Sequence, residues 1–180
     1  MKTDRTMDSI TILIVDDHPI VLKGIHALLS SSFPRASIMD AAGMGEAEEI
    51  LMRHDVDIMI TDLDLNGESG TTLIRHVRDI RPATQVVVYT MHEEPWSVSE
   101  IDSMDVEAVV MKSDSAGELL TAVGSLLDGK GYYSATFSRL LGSQKRQPDR
   151  LSCRETQVVD LTAAGLSSAD IALQLGISVN

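Results

Sequence analysis

Five short runs of β-branched and other apolar residues, each followed by a stretch with helical spacing, constrain this chain more than any other feature. The runs are Ile10 to Val15, Ala36 to Asp40, Val56 to Thr61, Gln85 to Thr90 and Ala108 to Met111; their length and composition predict strands. Between them apolar residues recur at helical intervals, as in Leu73, Ile74 and Val77 after Gly70, or Leu119, Leu120, Val123, Leu126 and Leu127 after Gly117. Strands that are apolar throughout suit a sheet buried on both faces, and parallel strands need crossover connections. The expected class is therefore α/β, a doubly wound five-stranded parallel sheet covered by helices on both sides.

A chain of 180 residues has room for one domain of ordinary size and a small second unit. The sheet pattern occupies residues 9–130. Residues 131–150 mix Gly, Ser, Gln, Lys, Arg and Pro148 and read as a linker, with a short helix around Thr136 to Leu141. From Leu151 the spacing is purely helical. Ser152 with Glu155 forms a capping-box signature, Gly165 sits where a helix would stop, and a second helix is expected from Ser168 to Leu175.

Charge divides the chain along the same boundary. Residues 1–130 carry ten Lys and Arg against 23 Asp and Glu, a net of −13, while residues 131–180 carry five against four, a net of +1. The overall −12 argues against nucleic-acid binding by the first unit, because phosphate contacts need Lys and Arg, but not by the second. With 43% hydrophobic and 23% charged residues the chain is not of disordered type. The single Cys153 cannot form an internal disulfide, no leader pattern opens the sequence, and no apolar run approaches the ~20 residues of a membrane span. The expected setting is cytoplasmic and reducing, without a membrane.

The chemistry-bearing residues stand at strand ends. Asp16 and Asp17 follow the first strand, Asp62 follows the third, Thr90 closes the fourth and Lys112 follows the fifth. In an open parallel sheet the carboxyl ends of the strands border the crevice where ligands bind, and with order 2-1-3-4-5 that crevice lies between strands one and three. Three carboxylates gathered there would repel unless a cation neutralised them, and hard oxygen ligands suit Mg2+. Singly, each residue has an ordinary reading: a loop acid, an N-cap for the helix opening at Pro19, a strand-end hydroxyl, a solvated lysine. Their joint placement is what carries information. The five histidines, at 18, 26, 54, 76 and 92, show no close metal-ligand spacing, although His92 lies near the expected pocket mouth.

These stretches resemble the receiver domain of two-component response regulators, in the group whose output is a LuxR-type helix-turn-helix. "ILIVDDHPIVLKGI" resembles that family's first strand and helix, "IMITDLDLNGESG" its phospho-acceptor strand and loop, "VVVYT" its fourth strand and "AVVMK" its fifth. The resemblance implies a flavodoxin-like fold in which Asp62 accepts a phosphoryl group from a sensor histidine kinase. It implies Mg2+ held by Asp17, Asp62 and the main-chain carbonyl of Asp64, with Asp16 acting through water, Lys112 pairing with phosphoryl oxygens and Thr90 turning toward them. The face of the helix after the fourth strand is the output surface it implies. Three positions depart from the family pattern. Asn66 replaces the usual Pro and implies a less rigid acceptor loop, Asp64 adds a carboxylate beside the acceptor, and Val109 stands where many receivers carry Tyr or Phe.

"LSCRETQVVDLTAAGLSSADIALQLGISVN" resembles the start of a LuxR-type DNA-binding domain over residues 151–180. Val158, Val159 and Leu161 with Ile171, Ala172 and Leu175 would supply the apolar faces of two helices. An amphipathic hairpin used for dimerisation fits the same spacing. Because the sequence stops at Asn180, where a recognition helix should begin, DNA reading is expected only with a complete C-terminal domain. The principal expectation is a phosphorylation-dependent transcription regulator, not an enzyme, that forms a homodimer on phosphorylation. Two alternatives stand beside it: a haloacid-dehalogenase-type phosphatase, suggested by Asp62-Leu63-Asp64, and an interaction module whose phosphorylation is vestigial.

Overall fold

The computed structural model describes residues 10–145 together with 161, 162 and 167. Contacts divide the chain into two units, Met1–Leu141 and Gly142–Asn180. In the first, β1 (Thr11–Val15), α1 (Pro19–Ser32), β2 (Ser37–Ala41), α2 (Met44–Arg53) and β3 (Ile58–Thr61) are followed by two short strands, β4 (Asp64–Leu65) and β5 (Glu68–Ser69). Then come α3 (Gly70–Ile80), β6 (Gln85–Thr90), α4 (Pro95–Ser103), β7 (Ala108–Met111), α5 (Ala116–Leu127), β8 (Tyr132–Tyr133) and α6 (Ala135–Lys145), which runs past Leu141. The expected helices from Ser152 onward lie outside the described residues, apart from a helical Leu161 and Thr162.

The main sheet has the order β2-β1-β3-β6-β7-β8, with every neighbouring pair parallel. Its first five members reproduce the anticipated doubly wound order. The sixth is the two-residue β8, which extends the edge through Tyr132 N–H to the Glu107 carbonyl and Ser134 N–H to the Val109 carbonyl, both 2.9 Å.

Because side chains alternate along a strand, the continuous apolar runs feed two separate core layers. Leu13, Val15, Met59, Val86, Val88, Val109 and Met111 face the layer completed by Ala47 and Leu51 of α2, Leu73, Ile74 and Val77 of α3, Val98 and Ile101 of α4, and Phe137 of α6. Ile12, Ile14, Ile58, Ile60, Val87, Ala108 and Val110 face the opposite layer, filled from α1 by Leu22, Ile25 and Leu29 and from α5 by Leu119, Ala122, Val123 and Leu126. This double cover leaves the strand ends as the place where polar side chains gather.

Local chemistry sets the loops around those ends. Proline opens α1, where its missing N–H costs nothing, and the Asp16 carboxylate accepts from the His18 N–H at 2.8 Å just ahead of it. The loop after β3 turns back as an antiparallel β4–β5 hairpin through Asn66 and Gly67, with φ of 54° and 86°. An Asn-Gly pair adopts those left-handed angles readily, which is why it closes a two-residue turn.

Candidate functional site

Parallel register brings the first two acids together. Val15 lies opposite Thr61 in the β1–β3 pair, and the Asp62 N–H donates to the Val15 carbonyl at 3.0 Å, so the side chains that follow each strand share one end of the sheet. Lys112 reaches them from β7. Its Nζ stands 2.6 Å from Asp16 Oδ2 and 2.6 Å from Asp62 Oδ2. Asp16 is 2% exposed and Asp62 7%, so both charges face little solvent and depend on this shared ammonium. Asp62 Oδ1 also accepts from the Leu63 N–H at 2.7 Å.

Burial works against the charged lysine, but its hydrogen bonds to Asp16 and Asp62 prevail and raise its pKa above the ordinary value. The Tyr89 ring lies 5.8 Å from the same Nζ.

Asp17 completes the acidic group. Its Oδ2 accepts from the Asn66 N–H at 3.0 Å, while Asn66 Nδ2 donates to the Ala42 carbonyl at 3.4 Å. The acceptor hairpin is thus tied to the β1 and β2 ends despite lacking proline. Asp17 Oδ1 is buried and accepts no hydrogen bond; His18 Nδ1 approaches to 2.8 Å without hydrogen-bond alignment. A buried carboxylate oxygen with no donor is costly, and a cation would satisfy it. Asp16, Asp17 and His18 offer ligand atoms within 4.8 Å of one another, so the histidine next in the chain joins the acids, which spacing among the histidines gave no hint of. The oxygen-rich donor set fits a hard divalent cation.

Thr90 is fully buried at the end of β6, and the Lys112 N–H donates to its carbonyl at 2.8 Å. Its Oγ1 accepts from the His92 N–H at 3.3 Å. The Asp64 carboxylate is exposed and pairs with His92 Nε2 at 2.8 Å, while His92 Nδ1 lies 3.3 Å from Glu94 Oε2. His92 therefore links the threonine, the added acid of the acceptor loop and the start of α4. Sequence reasoning placed it near the mouth but did not foresee its two carboxylate partners.

Burial of the His92 ring disfavours its charge, yet the hydrogen bonds that the ring donates to Asp64 and Glu94, and their negative charge, outweigh that and raise its pKa above 6.5. A raised folded-state pKa stabilises the protonated protein. The contribution is complete below the unfolded value and disappears as pH climbs through the folded one. The gap in melting temperature between the natural chain and His92→Gln should accordingly be wider at about pH 5.5 than at about pH 8.5. An equal gap at both would show that the ring does not act as a charged partner.

A doubly wound parallel sheet with two acids and a lysine converging at its carboxyl edge is the architecture of a receiver module. The response regulator receiver domain family matches residues 12–124, and the chain belongs to that family. It is 31% identical to the transcriptional regulatory protein RcsB of Escherichia coli K12 over 183 residues, covering 96% of this chain and 83% of that protein. It is 28% identical to the transcriptional regulatory protein MctR of Rhizobium johnstonii, covering 94% and 80%.

Solved structures agree. RcsB dimers bound to two parallel DNAs superpose with a TM-score of 0.76 at 30% identity, over 95% of this chain and 85% of theirs. The isolated receiver domain of RcsB from Salmonella enterica serovar Typhimurium, in the presence of the phosphomimetic BeF3−, gives 0.69 at 29% identity over 74% and 99%.

This protein is a signalling response regulator and not a turnover enzyme. The dehalogenase-type alternative finds no support, since Asp62-Leu63-Asp64 follows the third strand of a receiver fold whose first strand already delivers the acidic pair. No described helix is long and apolar enough to cross a membrane.

Proposed function

We propose that this chain is a cytoplasmic, phosphorylation-dependent regulator of transcription whose Asp62 accepts a phosphoryl group from a sensor histidine kinase. The observation that supports it most is the position of Lys112, bonded at once to Asp62 and Asp16, with Asp17 next in the chain holding a buried oxygen that accepts no hydrogen bond. One carboxylate oxygen of Asp62 forms a bond to phosphorus as the bond between phosphorus and the kinase's histidine nitrogen breaks, and that nitrogen keeps the electron pair. Lys112 holds the negative phosphoryl oxygens, and Thr90 turns its hydroxyl to donate to them. Asp17, Asp62 and the main-chain carbonyl of Asp64 would hold Mg2+, with Asp16 contributing through water; when bound, that ion neutralises charge on the transferred group.

In this reading residues 9–130 are the receiver, β8 and the first turns of α6 pack onto it, and the linker is the part of 131–150 that follows Leu141. Residues 151–180 belong to a LuxR-type helix-turn-helix, the DNA-reading unit of the protein, and phosphorylation promotes a homodimer. The RcsB structures solved as dimers on DNA support that output.

Incubation of the full chain with acetyl phosphate and Mg2+, followed by intact-mass measurement, should show one added phosphoryl group, lost in Asp62→Asn and kept in Asp64→Asn. Undiminished labelling of Asp62→Asn would refute the assignment.

A further inference from the structure

The lysine of the pocket is joined to the helix that leaves the first unit. Phe137 of α6 is the largest fully buried side chain among the described residues, and it shares its core layer with Val109 and Met111 of β7 and Val98 and Ile101 of α4. The Tyr133 ring meets it edge-on at 5.2 Å and 83°. Ser134 bonds the Val109 carbonyl through its N–H at 2.9 Å, and its hydroxyl accepts from the Phe137 N–H at 3.3 Å. The large aromatic of this layer therefore comes from α6, beside a small and fully buried Val109.

A second tie runs through the loop that carries the lysine. Asp114, two residues beyond Lys112, accepts from the Met111 N–H at 3.0 Å and returns its own N–H to the Met111 carbonyl at 2.9 Å. Burial works to raise the Asp114 pKa, but Thr136 and Ser134 around the start of α6, the Met111 N–H and the charge of Arg139 hold it below the ordinary value. Met111 is in turn the register partner of Thr90. A close-packed core does not deform continuously, so a shift of Lys112 or Thr90 must be shared by the groups packed beneath them.

We propose that α6 is the output element of this receiver: rearrangement at Lys112 passes through Met111 and Asp114 to Ser134, Thr136 and Phe137, and thence to the segment beyond Leu141. This route differs from output through the face of α4, and it rests on the reading that the pocket is the phosphorylation site.

Amide hydrogen exchange on the full chain, with and without beryllofluoride and Mg2+, tests it, while fluorine NMR reports whether the pocket is occupied. Occupancy should change exchange across α6 severalfold. Asp114→Ala and Phe137→Leu should keep the bound fluoride signal and the response of α4 but lose the response of α6. Asp114 is only half-buried, so its variant keeps the test decisive if Phe137→Leu fails to fold. A bound signal with unchanged exchange in α6, or a response of α6 that survives in the variants, overturns the proposal alone. No bound signal in the natural chain overturns the phospho-acceptor reading, and this proposal with it.

Discussion

Lys112→Met is expected to lose about 3–5 kcal/mol of stability in metal-free buffer at neutral pH, the usual effect of removing one member of a buried ion pair. The ammonium is the shared partner of two carboxylates that are 2% and 7% exposed, each 2.6 Å away. Without it the methionine stem still fills the space, so the loss isolates charge. With no counter-ion, a folded-state carboxylate would have its pKa raised above the unfolded value, and the variant should recover stability as pH falls. A divalent cation should restore part of the loss at constant pH. In the natural chain the lysine's raised pKa gives the opposite limit: its contribution is complete at neutrality and is lost only as alkaline pH passes that value. Phosphoryl transfer should slow on the order of 10²-fold, as for loss of one charge-stabilising donor. Urea unfolding with and without Mg2+ measures the first effect, and a variant as stable as the natural chain without metal would show that the acids do not depend on this lysine.

Four of the five long strands were legible because each is a short, largely buried apolar run, and the edge strand β2, with Ser37 and Asp40 exposed, showed through Ile38 and Met39. Gln85–Thr90 and Ala108–Met111 coincide with the observed β6 and β7. The strand expected at Val56 begins at Ile58, although Asp57 ahead of it already bonds β1, donating its N–H to the Thr11 carbonyl at 3.0 Å and accepting from the Thr11 N–H through its carboxylate at 2.9 Å. The strand ends that carry Asp16, Asp62, Thr90 and Lys112 followed directly, because in a parallel sheet the position along the chain fixes the edge. Polar and composite features were less visible. The β4–β5 hairpin lacks an apolar run, and only Asn66-Gly67 signals it. β8 and the buried Phe137 lie in a stretch whose Gly, Ser and Lys content suggested a linker, although Phe137, Leu140 and Leu141 stand at helical spacing. His92 escaped because its partner Asp64 is 28 residues away and brought near by the fold, whereas His18 stands next to Asp16 and Asp17 in the chain and was hidden only by a search for spacing among histidines.

Gly70→Ala should be the most damaging single methyl addition around the pocket. Gly70 opens α3 directly beneath the acceptor loop and donates its N–H to the Leu63 carbonyl at 2.8 Å. A Cβ built there would overlap the Asp62 carbonyl oxygen and lie 2.8 Å from Leu63 Cα. Both are backbone atoms, so no side chain can swing aside. Either α3 moves outward from the core that Leu73, Ile74 and Val77 fill, or the chain at Asp62 moves away from Lys112. The first carries the overpacking penalty, at or above the upper end of about 1–3 kcal/mol. The second displaces the nucleophile, and a shift of about 1 Å can lower a rate by roughly 10²-fold. Gly124→Ala in α5 supplies the contrast: its Cβ would meet nothing within 4 Å, so replacing a helical glycine should stabilise by roughly 0.5–1 kcal/mol. Urea unfolding and labelling by acetyl phosphate would compare the two. If Gly70→Ala matched the natural chain in both, the close approach of α3 to the acceptor strand would not be what positions Asp62.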